Sequence, residues 1–388
     1  MGETTGREQF LGKYQGCLLG GAIGDALGYP VEFDSHDWIV HRFGPDGITA
    51  YASDEPVFSD DTQMTLFTAV GLLVGDTQAA LAGRPGRLED PCRYVNLAYL
   101  DWLATQHGVS RRTPHVSWIM GIPELNRLRA PGNTCLSALE SGGGGTISER
   151  INHSKGCGGV MRVAPWGLFL QGEERLGEGG QDASMTWLVR EGAGMAALTH
   201  GNPLGWIPAG VLCYLVSRCA FDVPEGAANP GAALGAIVDD SIRLLPTWFP
   251  EVPEDARAMA DILEDARRLA ASDYDDLPCI RMLGEGWVGE EALAIAVFSA
   301  LRHADDFSAA IVSAVNHGGD SDSTGAICGN IVGALLGIDA IGPEWDAIEL
   351  CEEILGIARD LCLRCPTDEA GACSDERWLD RYGAVIEG

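Results

Sequence analysis

Residues 316–337 read NHGGDSDSTGAICGNIVGALLG, an acidic and glycine-rich stretch that runs directly into an apolar segment. Within a helix, Asp320 and Asp322 would point about 200° apart, so their carboxylates converge only at a turn or at a helix start. The glycines before Asp320 and the apolar residues after Ser323 are typical of such a start. A helix N-terminus offsets carboxylate repulsion by only about 1 kcal/mol. Something else must therefore hold these acids together.

A second stretch of the same kind lies in the first half of the chain, where residues 58–70 read FSDDTQMTLFTAV. It places Ser59, Asp60 and Asp61 at a predicted helix N-terminus. Ser and Asp are preferred helix caps, so a cap explains this cluster taken alone, whereas in GGDSDS it explains one acid and not the other. Together the clusters predict oxygen ligands that face each other across a helical bundle and hold one or two Mg²⁺ or Mn²⁺ ions.

Apolar residues recur at three- and four-residue steps along most of the chain, as in LGWIPAGVLCYLVSRCA at 204–220 and GEEALAIAVFSALRHA at 289–304. This period is typical of helices, and alternating strand-like segments are scarce. Gly, Pro and acid clusters separate the helical runs, but no long linker divides the chain and no repeat is evident. The sequence predicts one all-α domain over residues 1–388, an orthogonal helical bundle with a metal site between helix N-termini.

The charge balance excludes some partners. Among 388 residues, 56 Asp and Glu stand against 26 Lys and Arg, and the net charge of −30 disfavours nucleic acid and anionic membranes. The N-terminal residues do not resemble a signal peptide, and no uninterrupted apolar segment approaches the roughly 20 residues that span a bilayer. We therefore expect a cytoplasmic protein, and separately we expect it to be a monomer. Its twelve cysteines are expected to be buried thiols, such as Cys17, Cys213, Cys219 and Cys328.

A glycine-rich segment, SKGCGGVMR at residues 154–162, is suited to a diphosphate. Closely spaced glycines let backbone N–H groups turn toward phosphate oxygens, and Lys155 would add a positive charge. An ordinary turn is the alternative. His200 in ALTHGNP ends an apolar run, where a histidine is commonly a partner of the helix dipole. Asp25 in GDALG fits a structural acid better than a ligand.

Five blocks in fixed order carry a family resemblance: GCLLGGAIGDALGYPVEF, FSDDTQMTL, KGCGGVMRVAPWGL, ALTHGNP and NHGGDSDSTGAICGNIVGALLG. They resemble the signature blocks of the ADP-ribosylglycohydrolase family. The blocks cover about residues 12–340, which leaves residues 341–388 as a C-terminal helical extension. Five ordered blocks are far more specific than any one of them.

The resemblance implies an all-α bundle that binds two Mg²⁺ or Mn²⁺ ions, and it assigns site residues by motif. The implied metal ligands are Ser59, Asp60, Asp61, Asp320, Asp322 and Ser323. The implied catalytic acids are Glu32 and Asp61. The implied contacts to the ADP-ribose diphosphate and ribose are Ser154, Lys155, Gly156, Cys157, Gly158, Gly159, Val160, Met161 and His200.

The resemblance also implies a reaction, the metal-assisted hydrolysis of the bond between ADP-ribose and a protein side chain. An arginine linkage is expected by analogy with bacterial relatives, and a serine-linked or other ADP-ribosyl substrate is the alternative. Two further hypotheses belong to other classes. One is a catalytically silent ADP-ribose-binding or crystallin-like protein, and the other is a metal-dependent hydrolase that cleaves the pyrophosphate and releases AMP. The expected partner is an ADP-ribosylated protein or an ADP-ribose derivative.

Overall fold

Helices dominate the part of the chain that the computed structural model describes, namely residues 6–108, 114–175, 180–368, 371–384 and 386. Within these residues no regular strand occurs, and an isolated antiparallel bridge joins Gly156 to Val288. The predicted all-α class is therefore confirmed. The α-helices, in chain order, are α1 Leu11–Gly28, α2 His36–Phe43, α3 Asp60–Leu81, α4 Pro91–His107, α5 Asn133–Glu140, α6 Ala164–Gly167, α7 Gln181–Ala197, α8 Pro203–Asp222, α9 Pro230–Trp248, α10 Pro253–Ala270, α11 Asp276–Leu283, α12 Gly289–Arg302, α13 Phe307–Val315, α14 Ser321–Leu336, α15 Cys351–Leu363 and α16 Glu376–Tyr382.

Local sequence explains where many of these helices begin. The side chains of Ser35, Asn202 and Asn229 each accept a hydrogen bond from a backbone N–H in the first turn of α2, α8 and α9. Proline occupies the opening positions of α4, α8, α9 and α10, where its missing N–H removes no helical hydrogen bond. Gly and Pro clusters predicted these boundaries for that reason.

The most extensive contact between two of the described helices lies between α1 and α14, which run antiparallel with glycine at every fourth position. A Cβ on Gly24 would lie 2.0 Å from the carbonyl oxygen of Gly325, and one on Gly329 would lie 2.0 Å from that of Gly20. The same opposition continues from Gly16 to Gly333. No side chain fits between the two backbones, so glycine is required here by close approach.

This contact sets the position of the chain segments at one end of the pair. Beyond Gly24, a Cβ on Gly28 would lie 2.3 Å from the carbonyl oxygen of Ser321. The C-terminal end of α1 therefore meets the N-terminal end of α14. The turn that follows α1, Tyr29–Val31, leads directly to Glu32.

Two helices, α3 and α8, are long and apolar enough by length and composition to cross a membrane. In the structure, 89% of the apolar window of α3 and 83% of that of α8 are buried within the protein. Helices in the centre of a large helical protein are apolar on every face. Polar residues interrupt both helices, for example Thr68 and Asp76 in α3 and Ser217 and Arg218 in α8, so neither is an uninterrupted apolar segment.

The cysteines follow the sequence prediction in part, since eight are buried and four, Cys92, Cys157, Cys351 and Cys365, are half-buried. All twelve are free thiols, and Cys17, Cys213, Cys219 and Cys328 are buried. Burial raises the pKa of Cys219 to about 12, so this thiol stays protonated at neutral pH.

The glycine contact predicts a position-specific stability effect. We expect Gly24→Ala to destabilise the protein by about 1–3 kcal/mol, because the added methyl group overlaps the backbone of α14. Gly356→Ala in α15 is the matched control, since a Cβ there meets nothing within 4 Å. It should be neutral or slightly stabilising, because alanine favours helix more than glycine does. Urea unfolding measures both variants, and equal stabilities would contradict the proposed contact.

Candidate active site

Five acids from three chain segments meet where α1 ends and where α3 and α14 begin. Asp60 and Asp61 open α3, Asp320 and Asp322 open α14, and Glu32 follows α1. Each is at most 8% exposed. The acids repel one another across the segments: the charge of Asp61 raises the pKa of Asp322, and the charge of Asp320 raises the pKa of Glu32. The structure thus brings together the two acid clusters that lie far apart in sequence.

Burial is the main cause of a raised pKa at every one of these acids, and repulsion among the carboxylates adds to it at most of them. Burial, followed by the charges of Asp320 and Asp60, raises the pKa of Glu32 to about 8. The pKa values of Asp61 and Asp322 lie well above the usual range. The cluster is therefore a place where negative charge is strongly disfavoured unless a cation offsets it.

Asp25 anchors one of the clusters from inside α1. Its Oδ1 accepts the Ser59 N–H at 2.8 Å, and its Oδ2 accepts the Thr62 N–H at 2.9 Å and the Thr62 hydroxyl at 2.6 Å. Burial raises the pKa of Asp25 to about 6 despite these hydrogen bonds. Both oxygens face the start of α3, so the acid holds the backbone of the cluster, which is the structural role expected from its sequence context.

The hydroxyl residues lie with the acids. The Ser59 hydroxyl accepts the Asp61 N–H at 3.2 Å and so caps α3. Ser323, within the first turn of α14, is 2% exposed, and its side chain hydrogen-bonds toward Asp61 and Asp320. All six residues predicted as metal ligands therefore belong to one buried group of oxygen atoms.

The glycine-rich segment 154–161 forms the adjoining wall. The Lys155 carbonyl accepts the Gly289 N–H at 2.8 Å, and the Cys157 N–H donates to the Trp287 carbonyl at 3.2 Å. The Cys157 thiol lies 2.7 Å from Oδ2 of Asp320, so the wall and the acid cluster share a direct contact. The two backbone hydrogen bonds, to Gly289 and Trp287, fix the segment against the loop before α12.

Other predicted substrate contacts have polar partners within this wall. The Ser154 hydroxyl lies 2.9 Å from that of Thr134, and the Lys155 ammonium group forms an ion pair with Glu290. The Lys155 side chain is 41% exposed. Its charge is therefore accessible, although it is shared with a carboxylate.

His200 is buried behind the glycine wall, and its ring does not reach the solvent-exposed surface. It is 1% exposed, and its Nδ1 lies 2.8 Å from the Thr199 hydroxyl. A Cβ on Gly158 would lie 3.3 Å from its ring, and one on Gly159 would lie 3.4 Å from Nδ1. Burial and the nearby Arg162 lower the pKa of His200 to about 3, so the ring is neutral. The structure thus gives it a position from which it shapes the wall.

His317, beside the second cluster, also faces inward. Its Nε2 lies 3.0 Å from the Thr324 hydroxyl, and burial lowers its pKa to about 4. Its partner is a residue of α14 that itself bonds to backbone carbonyls.

Sequence reasoning missed the ion pair that holds the first acid cluster from the opposite side. Arg129 donates to the Phe58 carbonyl at 2.9 Å and pairs with Glu349, which in turn accepts the Phe58 N–H at 3.1 Å. The Arg129 carbonyl also accepts the Asp60 N–H at 3.0 Å. No sequence signal marks this pair, because its members are 220 residues apart and lie in ordinary loops.

The donor set fits a hard divalent cation in its chemistry. Oε2 of Glu32 and Oδ2 of Asp61 are buried without a hydrogen-bond partner, and carboxylate and hydroxyl oxygens are the ligands that Mg²⁺ and Mn²⁺ prefer. Among the described residues, no three His, Cys, Asp or Glu side chains converge as a ready-made metal-binding group. The carboxylates instead meet donors such as Cys157, Ser323 and Gly132. The residues therefore suit a divalent cation by the chemical type of their oxygen atoms and by their negative charge, and not by a preformed coordination geometry.

The comparisons with known proteins place this chain in a family. Residues 7–371 match the family model described as ADP-ribosylglycohydrolase. The match covers nearly the whole chain, so the chain belongs to the ADP-ribosylglycohydrolase family, and the resemblance drawn from the five sequence blocks is confirmed. Its class is that of hydrolases that remove ADP-ribose from modified substrates.

Individual relatives are distant but match over most of their length. The ADP-ribosylarginine hydrolase Tri1 of Pseudomonas putida is 26% identical over 380 residues, which cover 95% of this chain and 83% of that one. The ADP-ribosyl-[dinitrogen reductase] glycohydrolase of Rhodospirillum rubrum is 24% identical over 343 residues, 85% and 87% of the two chains. A solved structure described as an ADP-ribosylglycohydrolase-related protein complex shares the fold with a TM-score of 0.58 at 22% identity, covering 92% of this chain and 98% of that one.

The raised pKa values predict how stability depends on pH. An acid whose folded pKa exceeds its unfolded value contributes stability that is fully present below the unfolded pKa, near 4, and is lost as the pH rises through the folded pKa. The folded values are about 6 for Asp25 and about 8 for Glu32. In EDTA, the melting temperature should therefore fall by a few degrees between pH 6 and pH 8.5.

Two comparisons sharpen this measurement by differential scanning fluorimetry. Mg²⁺ or Mn²⁺ should raise the melting temperature more at pH 8.5 than at pH 6, because cations and protons compete for the same carboxylates. Glu32→Gln should flatten the upper part of the pH dependence. A melting temperature that rises over this range in EDTA would contradict the assignment of these pKa shifts.

The Arg129–Glu349 pair predicts a second stability effect. Arg129→Met should cost about 3–5 kcal/mol, because it leaves the Glu349 carboxylate without its partner at a site where the two side chains are 6% and 14% exposed. Arg84→Met is the control, since the side chains of its pair with Glu89 are 52% and 68% exposed and such pairs contribute at most about 1 kcal/mol. Similar losses in both variants, measured by urea unfolding, would argue against a special role for Arg129.

Proposed function

We propose that this protein hydrolyses the N-glycosidic bond between ADP-ribose and an arginine side chain of a modified protein, with two divalent cations, Mg²⁺ or Mn²⁺, bound at the acid cluster. The observation that carries the proposal is the buried group of five acids and two serines directly beside a glycine-rich wall. The proposal is supported by the family and by its similarity to the ADP-ribosylarginine hydrolase Tri1 and to the ADP-ribosyl-[dinitrogen reductase] glycohydrolase of Rhodospirillum rubrum. We further propose that it acts as a monomer in the cytoplasm.

The cations would be held by residues from both helix starts, Ser59, Asp60, Asp61, Asp320, Asp322 and Ser323. Family members generally depend on divalent cations, and the unpartnered oxygens and raised pKa values of the cluster support such a site here. When bound, divalent cations offset carboxylate repulsion and lower the pKa of a water molecule. This chain contributes the placement of the acids, which Asp25 and Arg129 secure through the backbone of α3.

Two acids supply the proton transfers in this proposal. A water oxygen forms a bond to C1″ of the ribose while the bond from C1″ to the guanidinium nitrogen breaks, and the bonding pair stays with nitrogen. Asp61, whose carboxylate would be ionised once bound cations offset the surrounding negative charge, accepts a proton from the water through its unpartnered Oδ2. Glu32, whose raised pKa keeps it protonated near neutral pH, donates a proton to the departing nitrogen. The products are ADP-ribose and unmodified arginine.

The glycine wall would hold the diphosphate. In the 3₁₀ turn Cys157–Gly159 the Cys157 N–H already donates to the Trp287 carbonyl, so the backbone N–H groups of Gly158 and Gly159 would be the ones that bind phosphate oxygens. Lys155 adds a partly exposed positive charge, and His200 supports the wall from behind. Ser154, Gly156, Val160 and Met161 complete the segment that we propose to contact the substrate. The wall touches Asp320 through Cys157, so a diphosphate on it would place the attached ribose close to the acids.

The deciding experiment incubates the protein with an ADP-ribosyl-arginine peptide and an ADP-ribosyl-serine peptide, with Mg²⁺, Mn²⁺ or EDTA, and identifies products by mass. We expect intact ADP-ribose from the arginine peptide, lost in EDTA and restored by either cation. Asp61→Asn or Glu32→Gln should lower kcat by about 10²- to 10⁴-fold. Release from serine alone would overturn the arginine assignment, and AMP as the product would indicate pyrophosphate cleavage.

Cation binding is tested separately from activity by isothermal titration calorimetry. Asp322→Ala should lose Mn²⁺ binding. Asp265→Ala is the matched control, because that acid lies on α10 with its side chain 57% exposed and should leave binding unchanged. Equal cation affinity in wild type and Asp322→Ala would contradict the metal assignment whatever the activity.

A further inference from the structure

A fully buried arginine lies behind the glycine wall without a carboxylate partner. Arg162 donates to the Thr199 hydroxyl at 2.6 Å, to Cys135 Sγ at 3.3 Å and to the Met195 carbonyl at 3.4 Å. Its Nε is buried without a hydrogen-bond partner. Within the part of the chain that the structure describes, no acid forms an ion pair with it, and each of its hydrogen-bond partners is neutral. Because arginine keeps its proton in proteins, these neighbours leave its charge unbalanced.

Other arginines of this chain that are buried nearly as deeply do have such a partner. Among the described residues, Arg129 is 5% exposed and pairs with Glu349, and Arg364 is 3% exposed and pairs with Asp76. Moving a charge from water into the protein interior costs free energy, and an opposite charge beside it returns part of that cost. Arg162 lacks this compensation within the protein, which indicates that its charge serves a ligand.

The guanidinium group lies directly behind the backbone of the glycine wall. The Cys135 thiol, which accepts a hydrogen bond from Arg162, donates to the Gly158 carbonyl at 3.8 Å. A Cβ on Gly158 would lie 3.0 Å from Cys135 Sγ and 3.3 Å from the ring of His200. The Thr199 hydroxyl joins that ring to Arg162. A single side chain, Cys135, therefore separates the charge from Gly158, one of the two glycines whose N–H groups would bind phosphate oxygens.

The charge of Arg162 acts on the groups behind the wall. It assists burial in lowering the pKa of His200 to about 3, and it opposes the effect of burial on Cys135, whose pKa is raised to about 11. After burial, the charges that raise the pKa of Asp61 are those of other acids. Once cations offset the acid cluster, an anion on the glycine wall would be the countercharge that Arg162 lacks. Charges interact strongly across a low-dielectric interior, so this effect needs no direct contact.

We propose that Arg162 is a positioning residue for the diphosphate of ADP-ribose, and that it balances the negative charge of the diphosphate through the glycine wall without touching it. This inference rests on the diphosphate-binding role proposed above for the wall. The alternative is a role in the fold. The Met195 carbonyl belongs to the last turn of α7, where a positive charge also stabilises a helix end. That alternative predicts a loss of stability, whereas a positioning role predicts a loss of affinity.

Removing the charge should weaken binding and leave the fold intact. Arg162→Met keeps a long side chain without charge, and Arg162→Gln removes the charge but keeps an amide donor. We expect both variants to raise the Kd of free ADP-ribose and the KM of the arginine peptide about 10- to 100-fold. The turnover number kcat should change little, because the diphosphate is held equally before and during the reaction. Neither variant should melt at a lower temperature without ligand, because an unbalanced buried charge is itself destabilising.

The test measures the Kd of free ADP-ribose by calorimetry, and kcat and KM with the arginine peptide, at about 50 mM and about 500 mM salt. Salt screens exposed charges far more than buried ones. The loss of affinity in Arg162→Met, relative to wild type at the same salt, should therefore be similar in both buffers. The loss in Lys155→Met should shrink at high salt, because that side chain is 41% exposed. Arg268→Met is the matched control for net charge, since its side chain is 63% exposed on α10 and the Kd should not change.

The outcomes separate this inference from the proposed function. Wild-type Kd and KM in both Arg162 variants would overturn the positioning role and leave the function standing. Affinity that is lost in Arg162→Met but kept in Arg162→Gln would assign the effect to hydrogen bonding, and a failure of both variants to fold would assign Arg162 to the fold. Either result, or a loss that disappears at high salt, would overturn the proposal. A wild type that binds ADP-ribose but releases none from either peptide would overturn the function alone, because the calorimetric comparison does not depend on the linkage.

Discussion

The backbone contact between α1 and α14 is the constraint on which the rest of the structure depends. Glycine inside a helix is less favourable than alanine by about 1 kcal/mol, yet both helices carry it at every fourth position of their interface. In exchange the two backbones approach until a single Cβ would overlap the opposite carbonyl. Such closeness permits many dispersion contacts and leaves little freedom for the helices to slide. Register along the pair is therefore set by the glycines.

That register determines where the chemistry lies. Because the end of α1 meets the start of α14, Glu32 lies beside Asp320 and Asp322. The same helix reaches the other cluster through Asp25, whose carboxylate binds the backbone at the start of α3. One helix thus positions acids from both halves of the chain. The α1–α14 interface, which has no room for side chains along its length, thus brings charged side chains together where α1 ends and α14 begins.

Concentrating carboxylates in a buried place destabilises the protein unless something offsets their charge. The raised pKa values of the five acids reflect this destabilisation, because a buried carboxylate that has no cation beside it is more stable when it is protonated. Fixed partners elsewhere keep the arrangement in place. Arg129 with Glu349 holds the backbone before Asp60, and the glycine wall touches Asp320 through Cys157. Binding of a divalent cation and stability of the fold are coupled at this site for the same electrostatic reason.

The residues of the acid clusters and the helical character of the chain were determined by the sequence itself, because both are short-range properties. A 3.6-residue apolar period and Ser, Asp, Asn, Pro and Gly at helix ends act locally, so they predicted the all-α class and the helix starts at Ser59 and Asp320. Partnership between distant segments is not local. The position of His200 behind the glycine wall, the Arg129–Glu349 pair and the burial of Arg162 without a carboxylate partner were decided only by the tertiary structure. Each depends on which chain segments the α1–α14 contact brings together, and no period or spacing in the sequence records that.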